Sequence, residues 1–180
     1  MKQSELNLES LENGIPVIPT GAAQFYKQNC MVCLYQHGHK SGVNLTVEYQ
    51  DTELVFTVSW LDEVDETLLR AYADLIRATD HAACGLALLL IRELTDYTAI
   101  EQACIGTTID YYLVPKKTDG DLIFNDTARL EVSGILQENR ANTVQARINQ
   151  KQKRLKPSLG LPTFIVVIEF SKPWSKVVKQ

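Results

Sequence analysis

Gly106-Thr107-Thr108-Ile109-Asp110-Tyr111-Tyr112-Leu113 and Ala128-Arg129-Leu130-Glu131-Val132-Ser133-Gly134 are the two stretches whose reading decides the fold. Each sets a single carboxylate among the aromatic, aliphatic and β-branched residues that favour strands. Downstream, residues 139–162 carry six basic side chains, Arg140, Arg147, Lys151, Lys153, Arg154 and Lys156, and no Asp or Glu. Two carboxylates on neighbouring strands suit a hard cation such as Mg²⁺, which takes oxygen ligands and uses only one or two protein carboxylates. An acid-free basic helix suits a phosphate backbone. The combination points to metal-dependent phosphodiester chemistry, or to what is left of it.

Working outward, 99–105, 108–114 and 128–136 read as strands and 139–155 as a helix. Residues 163–170 are almost continuously apolar and read as a strand buried on both faces, at the centre of a sheet. Upstream, 61–95 reads as helical, with a break or kink near Ala78 and Thr79. Its first part, 62–77, has acids early and arginines late, as the helix dipole favours. Its second part, 80–94, is apolar nearly all round, and Thr79 and Asp80 both suit its N-cap. Residues 43–50 and 54–60 alternate around Asp51-Thr52 as a hairpin. The aromatic, Cys and Val content of 22–36 tilts its end toward strand. Residues 1–20, with Pro16 and Pro19, read as an extended, loosely docked lead-in. The expectation is one α/β (α+β) domain over 21–180.

Helix, three strands, helix, strand resembles the core of the PD-(D/E)XK nuclease-like (restriction-endonuclease-like) superfamily, over residues 78–170, with the hairpin and first helix as N-terminal additions. The resemblance implies that Asp110 is the central acid of the second core strand and that Glu131-Val132-Ser133 is the (D/E)-X-K element of the third. It implies that Asp80 is a further acid on the first core helix. It also implies a Mg²⁺ site of Asp80, Asp110 and Glu131, completed by the main-chain carbonyl of Val132. The chain departs from the pattern at Ser133, where the family carries its catalytic lysine. Serine supplies no positive charge for the attacking water or the phosphate. Some family members relocate that lysine to the following helix, where Lys151 and Lys153 stand, with Gln150 and Gln152 as accompanying polar residues.

At 180 residues, 45% hydrophobic and 22% charged, the chain has the composition of a globular domain with a real core. A net charge of −4 argues against wholesale coating of nucleic acid and leaves room for a local basic surface. The longest apolar run, 82–91, is about half a bilayer span, and the first residues lack the order of a signal peptide. A cytoplasmic protein without membrane contact is expected. Four cysteines are too few for a disulfide scaffold. Cys84 and Cys104 read as small core residues. Cys30 and Cys33 with His37 and His39 form a tetrahedral zinc ligand set, but at poor spacing, and buried thiols beside a polar turn are the favoured reading. Nothing singles out His81 as a base, since a helix N-terminus disfavours imidazolium. P-loop, dinucleotide and serine-hydrolase motifs are absent from the sequence.

Three functions are compatible with these residues. The favoured one is a nuclease fold that has lost catalysis and binds nucleic acid, a partner protein or a second copy of itself. The alternatives are a Mg²⁺-dependent nuclease in which Lys151 or Lys153 replaces the missing lysine, and a small zinc-containing interaction module. In the nucleic-acid readings Arg140, Arg147, Lys151, Lys153, Arg154 and Lys156 contact the polyanion.

Overall fold

The strand reading of the second stretch holds closely, because every residue of that strand except Arg129 is buried. The computed structural model describes residues 4–116, 127–155 and 160–180. In chain order these form β1 (Ser4–Asn7), a short 3-10 helix (Leu8–Glu12), α1 (Thr20–Tyr35), β2 (Val43–Tyr49) and β3 (Thr52–Ser59). Then follow α2 (Glu66–Ala71), α3 (Leu75–Leu94), β4 (Tyr97–Gln102), β5 (Tyr111–Pro115), β6 (Ala128–Ile135), α4 (Val144–Arg154), β7 (Thr163–Glu169) and β8 (Trp174–Lys179). The strands make one eight-stranded mixed sheet in the order β1-β3-β2-β8-β7-β6-β5-β4. Strand β5 runs antiparallel to both β4 and β6, and β6 pairs with β7 in parallel.

Alternation along β7 shows how the layers are made. Phe164, Val166 and Ile168 enter the main core with α1 and α3, whereas Ile165 and Val167 enter a smaller core with Val144 and Ile148 of α4. Successive strand residues face opposite ways, so α1 and α3 cover one face of the sheet and α4 the other. In β6, Leu130 and Val132 belong to the α3 side, which sends Glu131 and Ser133 to the α4 side.

Helix α3 lies unusually close to β6, and Gly134 is the reason. A Cβ at this glycine would sit 2.5 Å from the carbonyl oxygen and 2.7 Å from the methyl of Thr79. Gly134→Ala is expected to cost at least about 1–3 kcal/mol, because overpacked cores must shift backbone. Urea unfolding measures this, and a wild-type midpoint would refute the close approach.

Several expectations need correction. The N-terminal segment is built into the fold: β1 pairs in parallel with β3, and Leu6, Leu8, Leu11, Ile15 and Ile18 are buried. Its two prolines obscured the apolar spacing. Residues 20–35 are a helix throughout, in which even Lys27 and Asn29 are buried. With its burial spread round the helix, no single apolar stripe announced it. The helical region breaks at 72–74 rather than near Thr79. Asp74 is therefore the N-cap of α3, its carboxylate accepting from the Arg77 N–H, and Asp80 lies inside the helix. Helix α4 starts at Val144, capped by the Thr143 hydroxyl on the Ala146 N–H. The hairpin forms where it is expected, but its turn is Gln50-Asp51 rather than Asp51-Thr52, at φ 50° and 60°, the positive values a tight two-residue turn demands. No described helix is long and apolar enough to cross a membrane.

Candidate active site

Strands β5 and β6 are paired only from Tyr111 to Leu113 against Leu130 to Ala128. Beyond Leu130 they part, and β6 runs on from Glu131 without β5 beside it. Asp110 stands at the fork. Its N–H donates to the Leu130 carbonyl at 2.8 Å, and its side-chain Oδ2 accepts from the Val132 N–H at 2.7 Å. A carboxylate thus satisfies a strand N–H that the departing strand leaves open, a role that fixes its position.

Around the fork is a cleft of about 340 Å³ lined by Asp80, Cys84, Asp110, Val132, Ser133, Arg147 and Lys151. Asp80 and Cys84, one turn apart on α3, form one wall. Arg147 and Lys151, one turn apart on α4, form the other. Lys151 Nζ is ion-paired and hydrogen-bonded to Glu131 Oε1. Arg147 donates to the Ser133 hydroxyl at 3.1 Å and to Asn142 Oδ1 at 2.6 Å. Ser133 is therefore held by an arginine of α4, one turn from the lysine that pairs with Glu131.

The electrostatics follow from this crowding. Burial pushes the Glu131 carboxyl up to about 7; the Lys151 ammonium offsets part of that rise and the Asp110 carboxylate adds to it. Asp80 is also raised, by burial first and by Asp110, against the lowering effect of His81, Arg147 and Lys151. The Cys84 thiol is pushed to about 12 by burial and the surrounding acids, so it is neutral near pH 7.

A carboxyl raised in the folded state binds its proton more tightly there than in the unfolded chain. Its stabilising contribution is full below the ordinary value of 4.5 and is lost as pH rises through about 7. In chelator, the stability of wild type relative to Glu131→Gln is expected to fall over that window. Thermal melts of both proteins across pH measure it, and parallel profiles would contradict the assignment.

The donor set fits a hard cation. Asp110 has one oxygen on the Val132 N–H and also meets the Glu131 carboxyl, so two oxygen-donor side chains stand together, the arrangement a hard cation takes. Asp80 lines the opposite wall without closing a cage: among the described residues no three or more Asp, Glu, Cys or His side chains gather as a metal site.

The other sequence candidates divide. Arg147 and Arg154 line a second depression on α4 of about 560 Å³, together with Gln150 and Asn142. Lys153 and Arg140 are exposed and lie outside both depressions. Two residues from Lys151 is more than half a turn of helix, which takes Lys153 away from Glu131. Gln152 faces a separate depression with Gln145 and Lys176. Lys156 lies outside the described residues. The zinc ligand set does not assemble: Cys30 Sγ donates to the Ala82 carbonyl and Cys33 Sγ sits 3.8 Å from the Thr79 hydroxyl, whereas His39 Nε2 meets the Ser171 carbonyl at 3.0 Å. Burial raises both thiols, Cys33 to about 12.

Cys84 and Tyr111 are site residues that the sequence reading passed over. Cys84 reads as core, although its spacing of four from Asp80 puts both on one helix face. Tyr111 follows Asp110, and its hydroxyl is hydrogen-bonded to that of Tyr26 at 2.7 Å beside the cleft. No protein-family model matches the chain, and no curated protein or solved structure matches it.

Proposed function

We propose that the chain is a Mg²⁺-dependent phosphodiesterase of nuclease type in which Lys151 stands in for the lysine absent at Ser133. The observation that carries this reading is the contact of Lys151 Nζ with Glu131, with Lys151 lining the same cleft as Asp110. The element order from α3 to β7, with antiparallel β4, β5 and β6 and β7 parallel to β6, supports the resemblance to the PD-(D/E)XK nuclease-like superfamily.

In this reading Asp110 and Glu131 hold the cation. A bound Mg²⁺ lowers the pKa of its water and neutralises charge gathering on the phosphate. Asp110 is kept in place by the Val132 N–H. Lys151, paired with Glu131, would be the cationic side chain available to a phosphate oxygen and the attacking water were those carboxylates to hold a cation. Arg147, anchored on Ser133 and Asn142, offers further N–H groups to a phosphate at the cleft mouth. Arg154 and Gln150 extend that surface along α4.

A rival reading draws on the same ion pair. Lys151 neutralises Glu131 without any metal, as expected if the fold has retired to binding. Calorimetric titration of Mg²⁺ and Mn²⁺ into the protein, followed by a cleavage screen on single- and double-stranded DNA and RNA, separates the two. Metal binding with cleavage supports the enzyme; no metal binding sinks it in favour of the binding subunit.

A further inference from the structure

We propose that Phe25, Tyr26 and His81 form a base-stacking platform at the edge of the cleft, so that the substrate is a nucleic-acid strand with an unpaired base beside the phosphate. This rests on the phosphodiesterase reading and names the form of its substrate. The Phe25 ring meets His81 edge-on, with centroids 4.7 Å apart at 64°. Tyr26 and Tyr72 each lie 5.9 Å from the same ring. The cluster has an outward face: Phe25 is 38% exposed and His81 is half-buried.

The position of this face gives it meaning. His81 follows Asp80, which lines the cleft wall, and beneath the surface the Tyr26 hydroxyl is bonded to that of buried Tyr111, the neighbour of Asp110. The far side of the cleft passes through Arg147 into the depression lined by Gln150 and Arg154. The surface therefore runs from aromatic rings, through two carboxylates and a lysine, to two arginines. A strand laid along it puts phosphates on the guanidinium groups and a base on the rings. Every base has a π-face to stack, whatever its sequence, and aromatic groups beside a basic groove are how single strands are held. A duplex keeps its bases inside its own stack and offers none.

The test is fluorescence anisotropy with labelled oligonucleotides of equal length: single-stranded DNA, single-stranded RNA, an abasic strand and a blunt duplex. Wild type, Phe25→Ala and Phe25→Trp are compared, with Ca²⁺ replacing Mg²⁺ to limit cleavage. Base-bearing strands are expected to bind wild type about tenfold or more tighter than the abasic strand. Phe25→Ala should lose that preference without weakening for abasic strand or duplex, and Phe25→Trp should keep it. Mn²⁺ titration of Phe25→Ala, expected to match wild type, checks that its cleft is intact. Equal affinity of wild type for base-bearing and abasic strands overturns the platform, as do equal losses on both in Phe25→Ala. If metal binding and cleavage persist, the phosphodiesterase reading survives that result. A wild type that binds metal but no oligonucleotide overturns both.

Discussion

Asp110→Asn is expected to abolish divalent-cation binding and to slow phosphodiester cleavage by at least about a hundred- to a thousandfold. The substitution is nearly isosteric, and an amide oxygen can accept from the Val132 N–H as the carboxylate does at 2.7 Å. The fork between β5 and β6 should therefore survive, and the unfolding midpoint should stay close to wild type. What disappears is one of two negative charges facing the cation. Mn²⁺ calorimetry and an unfolding curve on the same preparation separate charge from shape. An Asn variant that still binds metal as wild type does would remove Asp110 from the ligand set and the enzyme reading with it.

Lys151→Ala should lower the cleavage rate by about 10²- to 10⁴-fold, the usual worth of a positioned proton-transfer group. Metal binding should persist, because the lysine is not a ligand and its removal frees Glu131. The stronger form of the experiment moves the charge. Ser133 is two residues beyond Glu131 on β6, faces the same side of the sheet and lines the cleft. Adding Ser133→Lys to Lys151→Ala should therefore restore part of the rate. The recovery is expected to be partial, since the new lysine displaces the hydrogen bond from Arg147 and sits beside its guanidinium. Lys153→Ala, which alters an exposed side chain outside the cleft, should cleave as wild type does. Full activity in Lys151→Ala would refute the relocated lysine.

These residues were legible because strand chemistry announces itself. A carboxylate flanked by apolar strand formers is conspicuous at Asp110 and Glu131, and the almost continuously apolar run 163–170 reads as a central strand, in which Thr163 to Glu169 are all buried. The acid-free stretch after residue 139 marked α4, but not which of its cations matter. That choice depends on helical phase: Val144 and Ile148 dock on the sheet, and their phase turns Arg147 and Lys151 to the cleft and Lys153 away. The place of Asp80 was misjudged for a related reason. Thr79 and Asp80 are reasonable caps by composition, but the Asp74 carboxylate caps the Arg77 N–H, so the helix is already under way at Asp80. Helix α1 was hidden by burial spread round its surface, and strand β8 by long-range pairing. Strand β8 lies between β7 and β2, so its partners come from opposite ends of the described chain.

That last pairing bears on how the molecule assembles in time. The hairpin of β2 and β3 and the sheet around the cleft are joined through β8, where Thr46 meets Trp174 and Tyr49 meets Val177 in parallel. A seam between residues so distant along the chain cannot form early, because closing the loop costs entropy before any contact repays it. The hairpin edge of β2 waits unpaired until the rest of the chain has delivered its partner. An uncovered strand edge of that kind is where a folding chain most readily pairs with a neighbour. Crowding of newly made chains is thus a greater hazard at the N-terminal hairpin than at the buried fork where the chemistry is proposed.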